Sequence, residues 1–155
     1  MNHLEQIGQI LINNNLTIST AESCTGGLLS SKLTDISGSS AYIKLNLVTY
    51  SNNAKEKMLG VKLDKEGAVS ETCAYQMAYG LHKLTNSDIC ISTTGIAGPT
   101  GGTIDKPVGL MFSTIYTVNK VKTYKIQLDS TLLRTKIKEL FVEKVLENLL
   151  DFLNE

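Results

Sequence analysis

Along the first 95 residues, stretches patterned for helix alternate with stretches patterned for strand, and the strand-like stretches run out into small polar residues. Leu4, Ile7, Leu11 and Ile12 recur at helical spacing, and the asparagines at 13–15 stop that helix. "LTISTAE" (16–22) alternates in the manner of a short strand, and a second helix runs through Leu28, Leu29 and Leu33 after Gly26-Gly27. "YIKLNLVTY" (42–50) is the next strand, with Ser51-Asn52 placed to cap a short helix through Met58. A longer helix begins at Ser70 and turns Ala74, Met77, Leu81 and Leu84 to one face, and "DICISTTG" (88–95) reads as a buried strand. Such alternation favours parallel strands joined by crossover helices.

Past residue 95 the pattern changes. The loop to Pro107 holds Gly95, Gly98, Gly101, Gly102 and both prolines, a strong break. "VGLMFSTIYTV" (108–118) and "KTYKIQL" (122–128) are strands separated only by a turn around Asn119-Lys120, which requires at least one antiparallel pair. Leu133, Ile137, Phe141, Val145, Leu149 and Phe152 make a long amphipathic terminal helix. The expected fold is α/β: one three-layer α/β/α domain over residues 1–155, with a mixed, mostly parallel sheet of about five strands.

Fifteen basic and fifteen acidic side chains cancel. The chain therefore has no general electrostatic attraction for nucleic acid or for an anionic membrane, and neither is expected as a partner. No run stays apolar for the roughly 20 residues of a membrane span. "MNHLEQIGQILINNNL" lacks the basic start and long apolar run of a secretory signal, so a cytoplasmic location is expected. Cys24, Cys73 and Cys90 are odd in number and show no CxxC spacing, which points to free thiols. No group of His, Cys, Asp and Glu has metal-ligand spacing, and no metal site is expected.

The chemistry should sit where strands end, because open α/β sheets bind ligands at the carboxyl ends of their strands. Ser23, in "AESCTGG", falls at a strand-to-helix junction. There it can attack a carbonyl while backbone amides of the helix N-terminus hold the oxyanion, or it can simply cap the helix. A nucleophilic serine needs a base. His3, near a terminus, and His82, late in a helix, are poorly placed for that role. Lys55 is better placed, in the first turn of a short helix just after a strand end. The helix dipole and burial would both lower its pKa there, the direction a base requires. Tyr50, ending the same strand, can relay a proton or position the lysine. Thr93, Thr94 and Gly95 mark a third strand end, followed by glycines that let backbone amides approach a ligand. Arg134, the only arginine, opens the terminal helix and is suited to bidentate phosphate binding or to a surface salt bridge.

With these residues in hand, the chain resembles the CinA C-terminal domain family. The matching segments are "TAESCTGG" (20–27), "TDISGSSAY" (34–42), "VTYSNNAKEKMLGV" (48–61), "GAVSE" (67–71) and "GIAGPTGG" (95–102) followed by "KPVG" (106–109). The resemblance covers nearly the whole chain. It implies a nicotinamide-nucleotide amidase, an amidohydrolase that converts nicotinamide mononucleotide to nicotinic acid mononucleotide and ammonia. It places the nucleophile on Ser23, the base on Lys55 and the assisting tyrosine on Tyr50. Substrate binding is expected from Cys24, Thr25, Gly26, Gly27, Thr93, Thr94, Gly95, Gly98 and Arg134. No metal or organic cofactor is implied; the implied partners are a small-molecule nucleotide substrate and further copies of the chain in a homo-oligomer.

One departure stands out. Family members typically carry Gly-Asp-Arg just before the terminal helix, where this chain reads "LDS" (128–130), keeping Asp129 but not the glycine or the arginine. Thr100 also stands where many relatives have an acidic residue or glycine. The first departure keeps a second reading open, in which the domain binds a nucleotide or a protein partner with little or no catalysis. A third reading is an amidase for a related substrate without the phosphate.

Overall fold

The first helix, α1 (His3–Asn13), starts from a capping box. The Asn2 side chain accepts the Glu5 N–H at 2.8 Å, and the Glu5 carboxylate accepts the Asn2 N–H at 3.3 Å. After it the computed structural model, which describes residues 1–155, runs β1 (Ile18–Glu22), α2 (Leu28–Leu33) and one 3-10 turn (Ser39–Ala41). There follow β2 (Ile43–Val48), α3 (Asn52–Leu59), α4 (Glu71–Thr85), β3 (Ile89–Gly95), β4 (Leu110–Tyr116), β5 (Val121–Gln127) and α5 (Arg134–Asn154). Ser51 caps α3 by accepting the Ala54 N–H at 3.0 Å, and Ser70 caps α4 by accepting the Cys73 N–H at 3.1 Å.

The elements follow the sequence pattern, with strands trimmed at their ends for local reasons. Leu16 and Thr17 lie outside β1, because the Thr17 N–H donates to the Asp88 carboxylate at 2.8 Å instead of joining the ladder. β2 stops at Val48, two residues before Tyr50, where the chain turns into the α3 cap.

The five strands lie in the order β2-β1-β3-β4-β5. β1 pairs in parallel with both β2 and β3, while β3–β4 and β4–β5 are antiparallel. The mixed sheet of five strands inside an α/β/α sandwich is thus the expected one. From β1 the chain crosses to β2 on one side, then returns past β1 to β3 on the other. The loops after β1 and β3 part at that reversal, and the crevice between them is where sheets of this kind take ligands.

Both sheet faces are covered. On one, Ile18, Ile91, Met111 and Ile115 pack with Ile7 and Leu11 of α1, Leu29 and Leu33 of α2 and the apolar stripe of α5. On the other, Ala21 and Cys90 pack against Leu59 at the end of α3 and Cys73, Met77 and Leu81 of α4. The second face is held by an unusually close helix contact. A Cβ on Gly80, inside α4, would lie 1.9 Å from the Leu59 carbonyl oxygen. Glycine in a helix interior costs about 1 kcal/mol relative to alanine, and here it is what lets α3, and with it Lys55, lie down on α4.

Gly80→Ala should therefore lower stability, against the helix-propensity trend. We expect a loss of about 1–3 kcal/mol from the forced separation of α3 and α4, read from urea unfolding of the parent and variant.

Candidate active site

Ser23 follows β1 directly, at the parallel strands' carboxyl edge, and its hydroxyl does not cap α2. Instead, Ser23 Oγ lies 2.9 Å from Lys55 Nζ. The same Nζ donates to the Tyr50 carbonyl at 3.1 Å, and Ser23 Oγ lies 3.5 Å from that oxygen. The loops after β1 and β2 thus meet at three atoms, and the alternative left open at Ser23 resolves against capping.

Lys55 is 1% exposed and forms no ion pair with a carboxylate. Burial holds its pKa below the ordinary lysine value, and charge interaction with the Cys73 and Cys24 thiols offsets this only partly. A neutral amine suits its surroundings. One N–H can go to the Tyr50 carbonyl, leaving the lone pair for the Ser23 hydroxyl proton. Cys24, beside the serine, is no rival nucleophile, because burial pushes its thiol up to about 12.

The cap of α2 comes from Glu22, which is fully buried. Its carboxylate accepts from Leu29 N–H at 2.9 Å, Ser30 N–H at 3.0 Å, Ser30 Oγ at 2.6 Å and Thr25 Oγ1 at 2.5 Å. The free N–H groups of the helix are therefore already satisfied, against the expectation of oxyanion donors at the helix N-terminus, and unpaired donors lie on the loop before it. There the Cys24 and Thr25 N–H groups have no acceptor within the chain. Gly26 (φ 59°) and Gly27 (φ 102°) give the loop its left-handed turn into α2. The Thr25 and Thr93 hydroxyls brace it, 2.9 Å apart, and the Ser23 N–H donates to the Thr93 carbonyl at 3.0 Å.

A cleft of about 280 Å³ opens over the dyad, of a size for a small molecule rather than a polymer segment. Ser23, Cys24, Tyr50, Lys55, Thr94 and Gly95 line it, with Gly98 and Arg134 at its far wall. Thr25, Gly26, Gly27 and Thr93 do not line it; they shape the loop beneath. Neither histidine reaches it. Arg134 forms no salt bridge: its Nη1 donates to the Gly98 carbonyl at 2.6 Å and its Nη2 to the Tyr50 hydroxyl at 2.7 Å. Tyr50 thus faces two ways, with its carbonyl on the dyad and its hydroxyl on the arginine.

Two residues escaped the sequence reading. Glu22 had a visible signal, an acid ending an otherwise small and apolar strand just before the glycine turn. Asn52 lines the cleft one helical turn before Lys55, and its position as a cap candidate masked this. Ser130, where the family arginine is missing, borders a separate hollow against Pro99, Thr100 and Gly101. No group of three or more His, Cys, Asp or Glu side chains is placed to hold a metal ion.

Fold and site together define an α/β/α domain with a buried serine–lysine pair at the carboxyl edge of its sheet. The chain belongs to the CinA C-terminal domain family, whose model matches residues 1–153. It is 54% identical over 127 residues to a Clostridium novyi protein named as competence-damage inducible, covering 80% of this chain and 31% of that protein. It is 50% identical to a CinA-like protein of Shewanella pealeana, covering 80% and 30%. The chain thus spans about a third of the length of these relatives. Among solved structures, the competence/damage inducible protein CihA from Agrobacterium tumefaciens superposes with a TM-score of 0.89 at 39% identity, covering 100% of this chain and 98% of that one. A competence damage-inducible protein A from Klebsiella pneumoniae superposes at 0.91 with 28% identity, covering 99% and 96%. No helix is long and apolar enough to cross a membrane.

Replacing Glu22 with alanine strands several buried donors at once. We expect Glu22→Ala to cost more than a single unsatisfied group, upwards of about 1–3 kcal/mol, measured by chemical denaturation.

Proposed function

We propose that this domain is a serine–lysine amidohydrolase that removes ammonia from the carboxamide of nicotinamide mononucleotide. The observation that carries the reading is the 2.9 Å contact between Ser23 Oγ and a buried Lys55 amine without a carboxylate partner. A lysine in that setting is a base, and its only hydroxyl partner is the serine.

Lys55 takes the Ser23 proton as the oxygen attacks the carboxamide carbon. The Cys24 N–H group, which lines the cleft beside Ser23, holds the oxyanion that forms. The C–N bond then breaks, and the Lys55 ammonium returns its proton to the departing nitrogen, releasing ammonia. Water attacks the acyl-serine with Lys55 again as base, freeing the carboxylic acid and restoring the hydroxyl. The Tyr50 carbonyl keeps Nζ aimed at Ser23 through both half-reactions. Each proton taken is given back within the site, so the cycle needs no metal or organic cofactor.

Ammonia release from nicotinamide mononucleotide by the parent protein, and none by a folded Ser23→Ala variant, is the expected result. Release by neither at saturating substrate would leave a nucleotide- or partner-binding module.

The base also has a pH signature. With its pKa lowered by burial, Lys55 gains its neutral form as pH rises through that depressed value. The rising limb of kcat/KM should therefore lie below the ordinary lysine pKa of about 10.4. Lys55→Arg, which cannot shed its proton, should lose that limb and roughly 10²–10⁴-fold in rate.

A further inference from the structure

Four exposed residues of α4, Glu71, Tyr75, Tyr79 and Lys83, recur every fourth position. Residues at that spacing form one ridge of the helix surface, here about 18 Å long at a rise of about 1.5 Å per residue. The ridge reads acid, aromatic, aromatic, base. The Tyr75 and Tyr79 rings stack, with centroids 6.0 Å apart and planes at 5°, and Tyr116 of β4 meets each of them edge-on. Both α4 tyrosines remain 42% exposed. Glu71 and Lys83 have no ion-pair partner, and Lys83 Nζ lies 5.6 Å from the centroid of the Tyr79 ring. An acid in the first turn and a base in the last also suit the helix dipole, but the two exposed rings between them answer to no such local need.

The sheet beside this ridge is open. The α4 side of β5 carries Val121, Thr123 and Lys125, opposite Tyr116, Thr114 and Phe112 of β4. Phe112 is buried with Ala74 of α4, whereas none of the three β5 residues is buried. The helical layer thus stops one strand short of the edge. At the N-terminal end of the ridge, beside Glu71, a hollow of about 300 Å³ is lined by Val69, Phe112, Glu66 and Lys125, the last without an ion-pair partner. At the other end Leu84, which follows Lys83, is 51% exposed.

We infer that this ridge is a homodimer interface: α4 packs on α4 of a second copy about a two-fold axis between Tyr75 and Tyr79, and Glu71 of each copy meets the partner's Lys83. A two-fold contact requires a surface complementary to itself. A ridge with opposite charges at its ends and like residues at its middle meets that requirement when run antiparallel. Two such ridges lie side by side when the helix axes cross at about 50°, so the pairing extends along the whole ridge. The same operation brings the partner's Leu84 to the hollow beside Glu71 and the negative end of the partner's helix to Lys125. It also lays the second α4 beside the first, where the helical layer is missing. The tyrosines form the centre, large apolar rings with hydroxyls that can stay wet at the margin. Val69 lines both the hollow and the cleft over Ser23, so the partner stands against one wall of the site. The inference does not depend on which reaction that site performs.

Sedimentation equilibrium tests this. The parent should show a monomer–dimer equilibrium that weakens as salt is added, because exposed charge pairs close the interface at both ends. Glu71→Lys and Lys83→Glu each set like charges against one another at both ends, and each should raise the dimer dissociation constant roughly tenfold or more. Mixed together, the two variants face every lysine with a glutamate, and a heterodimer of about the parent's affinity should form. Tyr79→Ala leaves the charges in place and should weaken the dimer roughly thirtyfold, as loss of a central aromatic contact does. Circular dichroism confirms that each variant is folded. A parent that is monomeric throughout its soluble range overturns the inference. So does a dimer that all three substitutions leave unchanged, or a pair of charge variants that fail to associate on mixing.

Discussion

Everything in the site turns on one lysine that has been taken out of water without a counter-ion. An ammonium in that position would face a desolvation cost that only an ion pair could offset, and no acid is within reach of Lys55. Burial shifts the balance toward the free amine, held by a main-chain carbonyl on one side and a hydroxyl on the other. The same burial that disfavours the charge is what the proposed mechanism asks of its base.

The one acid at this edge of the sheet is kept on the other face and put to different use. Glu22 turns toward α2 and gathers donors from the loop and the helix, so that its charge stabilises a turn instead of an ammonium. Had it turned the other way, its charge would favour the ammonium form of Lys55 and work against the base role proposed for it. Sheet alternation decides this: Glu22 shares its side with Ile18 and Thr20, while Ala21 faces the α3–α4 layer. A single-residue slip of β1 would exchange the two faces.

Much of this was legible beforehand, and the reason is the period of the pattern. The ends of the strand-patterned stretches, at 22, 50 and 95, marked one edge of a parallel sheet, and Ser23, Lys55 and the glycine-rich loop lie together at that edge. Local caps at Ser51 and Ser70 were equally readable, because a cap depends only on neighbours in sequence. What stayed hidden depends on contacts across the fold. The path of the Tyr50 side chain to Arg134 spans 84 positions, and that of Arg134 to the Gly98 carbonyl spans 36. Neither leaves a spacing to read. The helix-end oxyanion donors were misplaced for a related reason: the carboxylate that occupies them comes from the preceding strand, seven and eight residues away.

The contacts of Arg134 have a consequence for time as well as for space. Through its two donated hydrogen bonds, one exposed guanidinium joins the segment after β2, the glycine-rich loop and the start of α5 into a closed ring about the cleft. Both of these links run through a side chain. Exposed side chains change rotamer in picoseconds to nanoseconds, far faster than loops or helices rearrange. Turning that one side chain away would unlink the three segments without any backbone movement.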